Sequence, residues 1–328
     1  MGSRVNSLRP DGGCTRPSPA GRFGLAFGLA AGLALTWALP ARPVVIATGD
    51  GTGNTAAPPD DPGWAQIAMV GNLTGYYLGN GWVLTANHVG ERDVVIDGVP
   101  YPVVVGSLVQ FETSPGVPAD LAVMQIEGDP GLPEPPLASR PPAVGEEALM
   151  IGFGRSRAPT RSYWNAGWQP VGPGAAVYTG FEDSAPQTLR WGMNFIHDVG
   201  VDVSIGGTTT RSFVSTWSDD NTALVDEAQA VVGDSGGPVF VKRAGVWELV
   251  GVIFTIEVFA GQPSNAVVFG TQTAMVDLSF YRDAILAQTR PRPVPLPWLA
   301  AAGLALGLGT AGAMRLRGRE RDAAGPAA

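Results

Sequence analysis

The chain has 328 residues, enough for a large core in one or two domains, and its 45 glycines and 29 prolines favour a turn-rich all-β body over a helical one. Its formal charge is −8, and removing +4 from residues 1–42 and +2 from residues 315–328 leaves −14 in between. A body this acidic repels phosphate, which excludes nucleic acid as an expected partner.

Residues 1–42 read as a secretory signal peptide. Arg4, Arg9, Arg16 and Arg22 precede an uncharged run from Phe23 to Leu39, which Pro40-Ala-Arg-Pro43 follows. Cleavage fits anywhere from Ala41 to Ala47; an uncleaved signal anchor is the alternative. Cys14, the only cysteine, lies ahead of this run, on the wrong side for a lipid anchor. Cleavage leaves a body with no disulfide, which must rely on core size. Residues 43–63, rich in Gly, Asp, Thr, Asn and Pro, predict an irregular arm. Its Asp50, Asp60 and Asp61 lack the spacing of a cation loop, and neither metal nor cofactor is expected.

The body occupies residues 64–290. Aromatic and β-branched residues flank Gly79-Asn80-Gly81, a hairpin signal, and the second strand runs directly into Thr85-Ala86-Asn87-His88. His88 is one of two histidines, and its place at a strand end makes it a candidate general base. Another hairpin is expected over 94–105. Asp120 then stands at the mouth of the apolar run Leu121–Ile126, either as a turn acid or as a carboxylate that an imidazole N–H could satisfy. After a Pro-rich loop at 127–142, Glu147–Gly154 predicts a short strand. Residues 155–187 lack periodicity and read as an extended surface insertion, with the whole of 155–220 a long departure from a minimal domain. His197 follows in a strand pair, without the second histidine or cysteine that a metal set requires.

Val232 to Phe240 reads Val-Gly-Asp-Ser-Gly-Gly-Pro-Val-Phe. Such a stretch suits an ordinary turn, but equally an exposed nucleophile, Ser235, on a tight turn entering a strand. A hairpin over 238–256, a strand at 266–270 and an amphipathic helix with Met275, Leu278, Tyr281 and Ile285 on one face complete the body. A Pro-rich linker, 291–297, leads to an uncharged run, 298–314, of marginal length for a transmembrane helix, and a basic tail, 315–328, expected to stay cytoplasmic.

Two resemblances follow from these motifs. Thr85-Ala86-Asn87-His88, Asp120-Leu-Ala-Val and Gly233-Asp-Ser-Gly-Gly-Pro238 resemble, in order, the three signature segments of trypsin-like, chymotrypsin-fold serine peptidases. That likeness implies an all-β body of two six-stranded antiparallel β-barrels with a C-terminal helix, and a polypeptide substrate cleaved by an exported serine endopeptidase. By it, Ser235 is the nucleophile, His88 the base and Asp120 its orienter, with the N–H groups of Gly233 and Ser235 as oxyanion hole. It places Gln229 at the floor of the specificity pocket and Phe254-Thr255-Ile256 along its wall. A neutral amide there disfavours Arg or Lys, and Ile256 narrows the pocket, so a small or medium uncharged side chain is expected. The cysteines usual beside the histidine and serine are missing, with Val89 after His88, and no Ile-Val-Gly-Gly start precedes the body. The second resemblance is of Val294-Pro-Leu-Pro297, the apolar run and Arg315–Arg321 to bacterial PEP-CTERM sorting tails. It implies membrane anchoring, then processing by an exosortase-like peptidase and release to the cell surface. A catalytically silent trypsin-fold protein, used for surface binding or adhesion, is the competing reading, and an esterase on the same three residues a third.

Overall fold

The computed structural model describes residues 44–219 and 224–290. The expected signal peptide and the linker, apolar run and basic tail from residue 291 onward lie outside these residues. Among the described residues no helix is long and apolar enough to cross a membrane.

The first half of the body supplies β1 (Val45–Ile46), β2 (Ile67–Val70), β3 (Leu73–Gly79), β4 (Trp82–Thr85), β5 (Val94–Ile96), β6 (Val99–Tyr101), β7 (Val109–Ser114) and β8 (Val117–Gln125). The second half supplies β9 (Glu147–Gly152), β10 (Arg155–Trp164), β11 (Tyr178–Gln187), β12 (Arg190–Ile205), β13 (Thr208–Thr216) and β14 (Ala228–Gln229). It ends with β15 (Pro238–Arg243), β16 (Val246–Glu257), β17 (Ala266–Val268), β18 (Gln272–Asp277) and α1 (Leu278–Thr289).

Six of these strands close into a barrel in the order β12-β13-β18-β16-β15-β9, with every pairing antiparallel. The expected companion barrel does not form as such. Its strands make a seven-stranded sheet, β6-β5-β2-β3-β4-β8-β7, that remains open. The physical reason lies at the two edges. Pro100 removes an N–H from the short strand β6, and two register shifts interrupt β7 against β8, so neither edge offers a regular ladder. One core nevertheless runs through both parts, with Tyr76, Leu84 and Val123 from the sheet, Leu149, Phe240 and Val252 from the barrel, and Leu278, Tyr281 and Ile285 from α1. The helix begins at Leu278 rather than at Met275, because Asp277 caps it by accepting the Ser279 N–H at 3.0 Å.

Two expectations about the loops need correction. Residues 190–216, counted with the long insertion, are the barrel strands β12 and β13, whose inward side chains alternate. Residues 155–187 form the hairpin β10–β11, which recruits β17 into a small sheet, β10-β11-β17. Its aromatic side chains supply the order that its lack of periodicity hides. Trp168 stacks on Tyr178 with ring centroids 4.1 Å apart and donates from Nε1 to the Ala260 carbonyl. The arm before Trp64 is mostly irregular but not loose: Val44, Val45 and Ile46 are all buried, and β1 pairs with β14.

Candidate active site

Strand β4 pairs antiparallel with β8, so the end of one and the start of the other meet at the same rim, with Thr85 opposite Ala122. Past Thr85 a single 3₁₀ turn, Asn87–Val89, swings His88 outward while buried Ala86 and Val89 anchor it. Two residues before Ala122 stands Asp120, only 5% exposed. A carboxylate buried to this degree requires donors, and one residue supplies two of them. Asp120 Oδ1 accepts the His88 backbone N–H at 2.9 Å, and Oδ2 lies 2.7 Å from His88 Nδ1. Because the carboxylate can only accept, the proton sits on Nδ1 and the neutral ring keeps its lone pair on Nε2. The histidine side chain is 43% exposed, which leaves its outer edge open to a reactant. The Asp120 N–H in turn donates to Thr210 Oγ1 on β13 at 2.9 Å, fixing the pair to the barrel.

Ser235 lies in the turn between β14 and β15. That turn is tied to the sheet through two threonines: Thr74 N–H donates to the Ser235 carbonyl at 2.9 Å, and Thr74 Oγ1 to the Gly233 carbonyl at 3.1 Å. Thr85 Oγ1 donates to the Thr74 carbonyl at 2.8 Å, so the serine turn is two hydrogen bonds from the strand that delivers His88. Gly236 fits there because of its close approach. Its φ is +87°, and a Cβ would fall 1.9 Å from the Thr74 carbonyl oxygen. Within the turn, the N–H groups of Val231, Asp234, Gly236 and Gly237 all have acceptors, whereas those of exposed Val232, of Gly233 and of Ser235 donate to none among the described residues. No hydrogen bond joins Ser235 Oγ to His88.

Asp234 is fully buried beneath the turn. Burial pushes its carboxyl well above the ordinary range, while the N–H groups of Val231 and Gly154, the nearby Arg190 charge and the Val44 N–H pull the other way. Of the expected pocket residues, Gln229 is 1% exposed on β14, and its Oε1 has no hydrogen-bond partner among the described residues. Phe254, Thr255 and Ile256 continue β16 beyond Ile253, which exchanges bonds with the serine turn: Gly236 N–H to the Ile253 carbonyl, Ile253 N–H to the Gly237 carbonyl, both 2.8 Å. His197 is exposed on β12, at the register shift between Ile196 and Asp198. Among the described residues no cluster of His, Cys, Asp or Glu could hold a metal ion. Sequence reading missed Thr74 and Thr210, which carry no motif of their own; the polar Thr208-Thr209-Thr210 run gives no hint that only Thr210 reaches Asp120.

Residues 73–252, more than half of the chain, match a protein family described as the trypsin-like peptidase domain. The chain belongs to that family. Two solved structures show likeness at low identity. Neuropsin, a serine protease expressed in the limbic system of mouse brain, has 18% identity over 73% of this chain and 99% of its own, with a TM-score of 0.45. The Rv3671c protease, in an inactive form, has 16% identity over 72% of this chain and 99% of its own, with a TM-score of 0.39. Comparison with curated proteins finds no match.

Proposed function

We propose that the protein is a serine endopeptidase in which Ser235 Oγ attacks the carbonyl carbon of a peptide bond. His88 Nε2 takes the serine proton, the tetrahedral oxyanion forms against the N–H groups of Gly233 and Ser235, and the protonated imidazole then protonates the leaving amine. Water repeats the sequence on the acyl-enzyme, returning the proton to Ser235. Asp120 fixes the tautomer and stabilises the charged imidazole. The observation that carries this reading is the double hydrogen bond from His88 to one buried carboxylate, at the same rim as a serine turn whose Gly233 and Ser235 N–H groups are unused among the described residues.

A polypeptide substrate is favoured over a small ester by the strand beside the serine. Strand β15 pairs with β16 only as far as Val252, while β16 continues to Glu257 with β18 along one side. The opposite edge of Phe254–Glu257 has no strand partner among the described residues, so an extended peptide can add to it through main-chain hydrogen bonds. Gln229 at the pocket floor supports a neutral, small to medium side chain before the scissile bond. The Phe23–Leu39 run and the tail from Val294 to Arg321 support export, membrane anchoring and exosortase-like sorting to the cell surface. The test is labelling by a fluorophosphonate probe, expected for the wild type and lost in S235A. No labelling in folded, processed wild-type protein would overturn the enzyme reading and leave the silent binding protein as the competing one. A peptide-library profile dominated by Arg or Lys would overturn the pocket reading alone.

A further inference from the structure

Arg157 is a buried charge that the site does not use. It sits on β10, 2% exposed, and among the described residues it forms no salt bridge with a carboxylate. Burial lowers its guanidinium to about 10, which leaves it charged at neutral pH. Its donors go instead to main-chain carbonyls: Nη1 to Ala158 and Pro159 of its own strand at 2.9 and 3.5 Å, and the rest to four consecutive residues, Nε to Ile46 at 2.7 Å and Nη2 to Ala47, Thr48 and Gly49 at 3.1, 3.0 and 2.8 Å. The guanidinium also lies 3.8 Å from the Phe181 ring centroid on β11. Five N–H donors in a rigid plane suit such a gathering, which a lysine could not reproduce.

The segment so gathered lies directly on the serine loop. Val45 pairs with Gln229 and Ile46 with Ala228, while the Ala47 N–H donates to the Glu227 carbonyl at 2.9 Å. Val44 packs without exposure and presents its N–H to the Asp234 carboxylate. That carboxylate also accepts from Val231 and from Gly154, the residue at the root of the β10–β11 hairpin. The hairpin, the strap Val44–Gly49 and the loop bearing Ser235 therefore converge on one buried acid, Asp234, and two buried cations, Arg190 beside that acid and Arg157 on the strap.

We propose that Arg157 is a positioning residue: it latches the strap Val44–Gly49 against β14 and Asp234, and the latched strap holds the loop from Ala230 to Gly236 in the conformation that presents Ser235 and its two free N–H groups. This rests on the reading of Ser235 as nucleophile. It also gives the β10–β11 hairpin a role, since that hairpin carries the arginine. A guanidinium with only a packing role would weaken the whole fold when removed, without coupling these two segments.

The test uses the processed full-length protein as wild type, R157M, R157K and G51A, with amide hydrogen exchange and fluorophosphonate labelling as readouts. In R157M, exchange rises together in residues 44–49 and 230–236 while β2, β3, β4 and β8 stay protected, and labelling slows about tenfold or more, as expected when charge-assisted bonds are lost. R157K, keeping the charge without the planar fork, falls between R157M and wild type. At Gly51, φ +81°, a Cβ would meet Arg157 Cγ at 2.6 Å, so G51A disturbs the same latch from the strap side and keeps the proposal testable if R157M does not fold. Exchange released at 44–49 alone, or labelling at the wild-type rate with the strap released, overturns it. A wild type that never labels refutes the catalytic reading instead, and joint release of the two segments then decides the latch by itself.

Discussion

Alanine at Gly236 measures how closely the serine turn is pressed against the sheet. The residue sits at φ +87°, where an L side chain strains the backbone by about 1–2 kcal/mol. Its new Cβ would also fall 1.9 Å from the Thr74 carbonyl oxygen and 2.2 Å from Thr85 Oγ1, and both atoms belong to buried strands. Forcing them apart adds about 1–3 kcal/mol, typical of overpacking. Gly98 provides the comparison, because its φ is +75° and nothing lies within 4 Å of the added atom. Urea unfolding of G98A therefore reports the strain alone, and G236A is expected to lie about 1–3 kcal/mol below it. The same displacement moves Ser235 relative to His88, so fluorophosphonate labelling slows in G236A and not in G98A. Equal stabilities for the two variants would refute the close approach on which the coupling of turn and sheet depends.

Asp120→Asn replaces one acceptor oxygen by an NH₂ group, so it cannot accept both the backbone N–H and Nδ1–H of His88. The inverted tautomer is expected to lower the labelling rate on the order of 10⁴-fold, the effect typical of such triads. A loss under tenfold would show that Asp120 does not orient the base. Glu146→Gln tests a structural ion pair. Burial by itself would raise Glu146, but the hydrogen bonds and charge of Arg243, at 2.9 and 2.7 Å, and the Ala143 N–H outweigh it and leave the carboxyl below its ordinary 4.5. A depressed folded value gives stability that is present above about pH 4.5 and lost as pH falls through that value. The wild type should thus exceed E146Q in urea midpoint at pH 7, with the gap closing toward pH 3; a gap that widens in acid would reverse the assignment.

The parts legible in the sequence were those written locally. His88 follows the end of β4 and Ser235 precedes β15, places that short patterns of apolar residues and glycines mark, whereas Asp120, expected at a strand mouth, is the fourth residue of β8 because that strand begins earlier, at Val117. The hairpin at Asn80 and the barrel strands around Gly251 follow from the same signals. What escaped is pairing at a distance. Arg157 meets carbonyls more than a hundred positions away in sequence, Thr210 meets Asp120 across ninety, and neither residue type announces a partner. The open N-terminal sheet was hidden for a related reason: closure is decided by whether two edge ladders match, and Pro100 and the breaks in β7 act on ladders rather than on strand formation. The β10–β11 hairpin was obscured because its order comes from aromatic stacking at one end, not from alternation.

The barrel's closing strand also orders events in time. Met150 on β9 pairs with Gly192, 42 positions along the chain, and with Val239 on β15, 89 positions along it. Remote pairs form late, since a long loop must be gathered before any contact rewards it. The serine turn is the lead-in to β15, so Ser235 reaches its place only when that last seam shuts. Under the proposed function, a half-folded copy would then lack a working nucleophile. In a refolding experiment, the capacity to react with fluorophosphonate should rise with the slowest phase; its appearance in an early phase would show that the serine turn is set before the barrel closes.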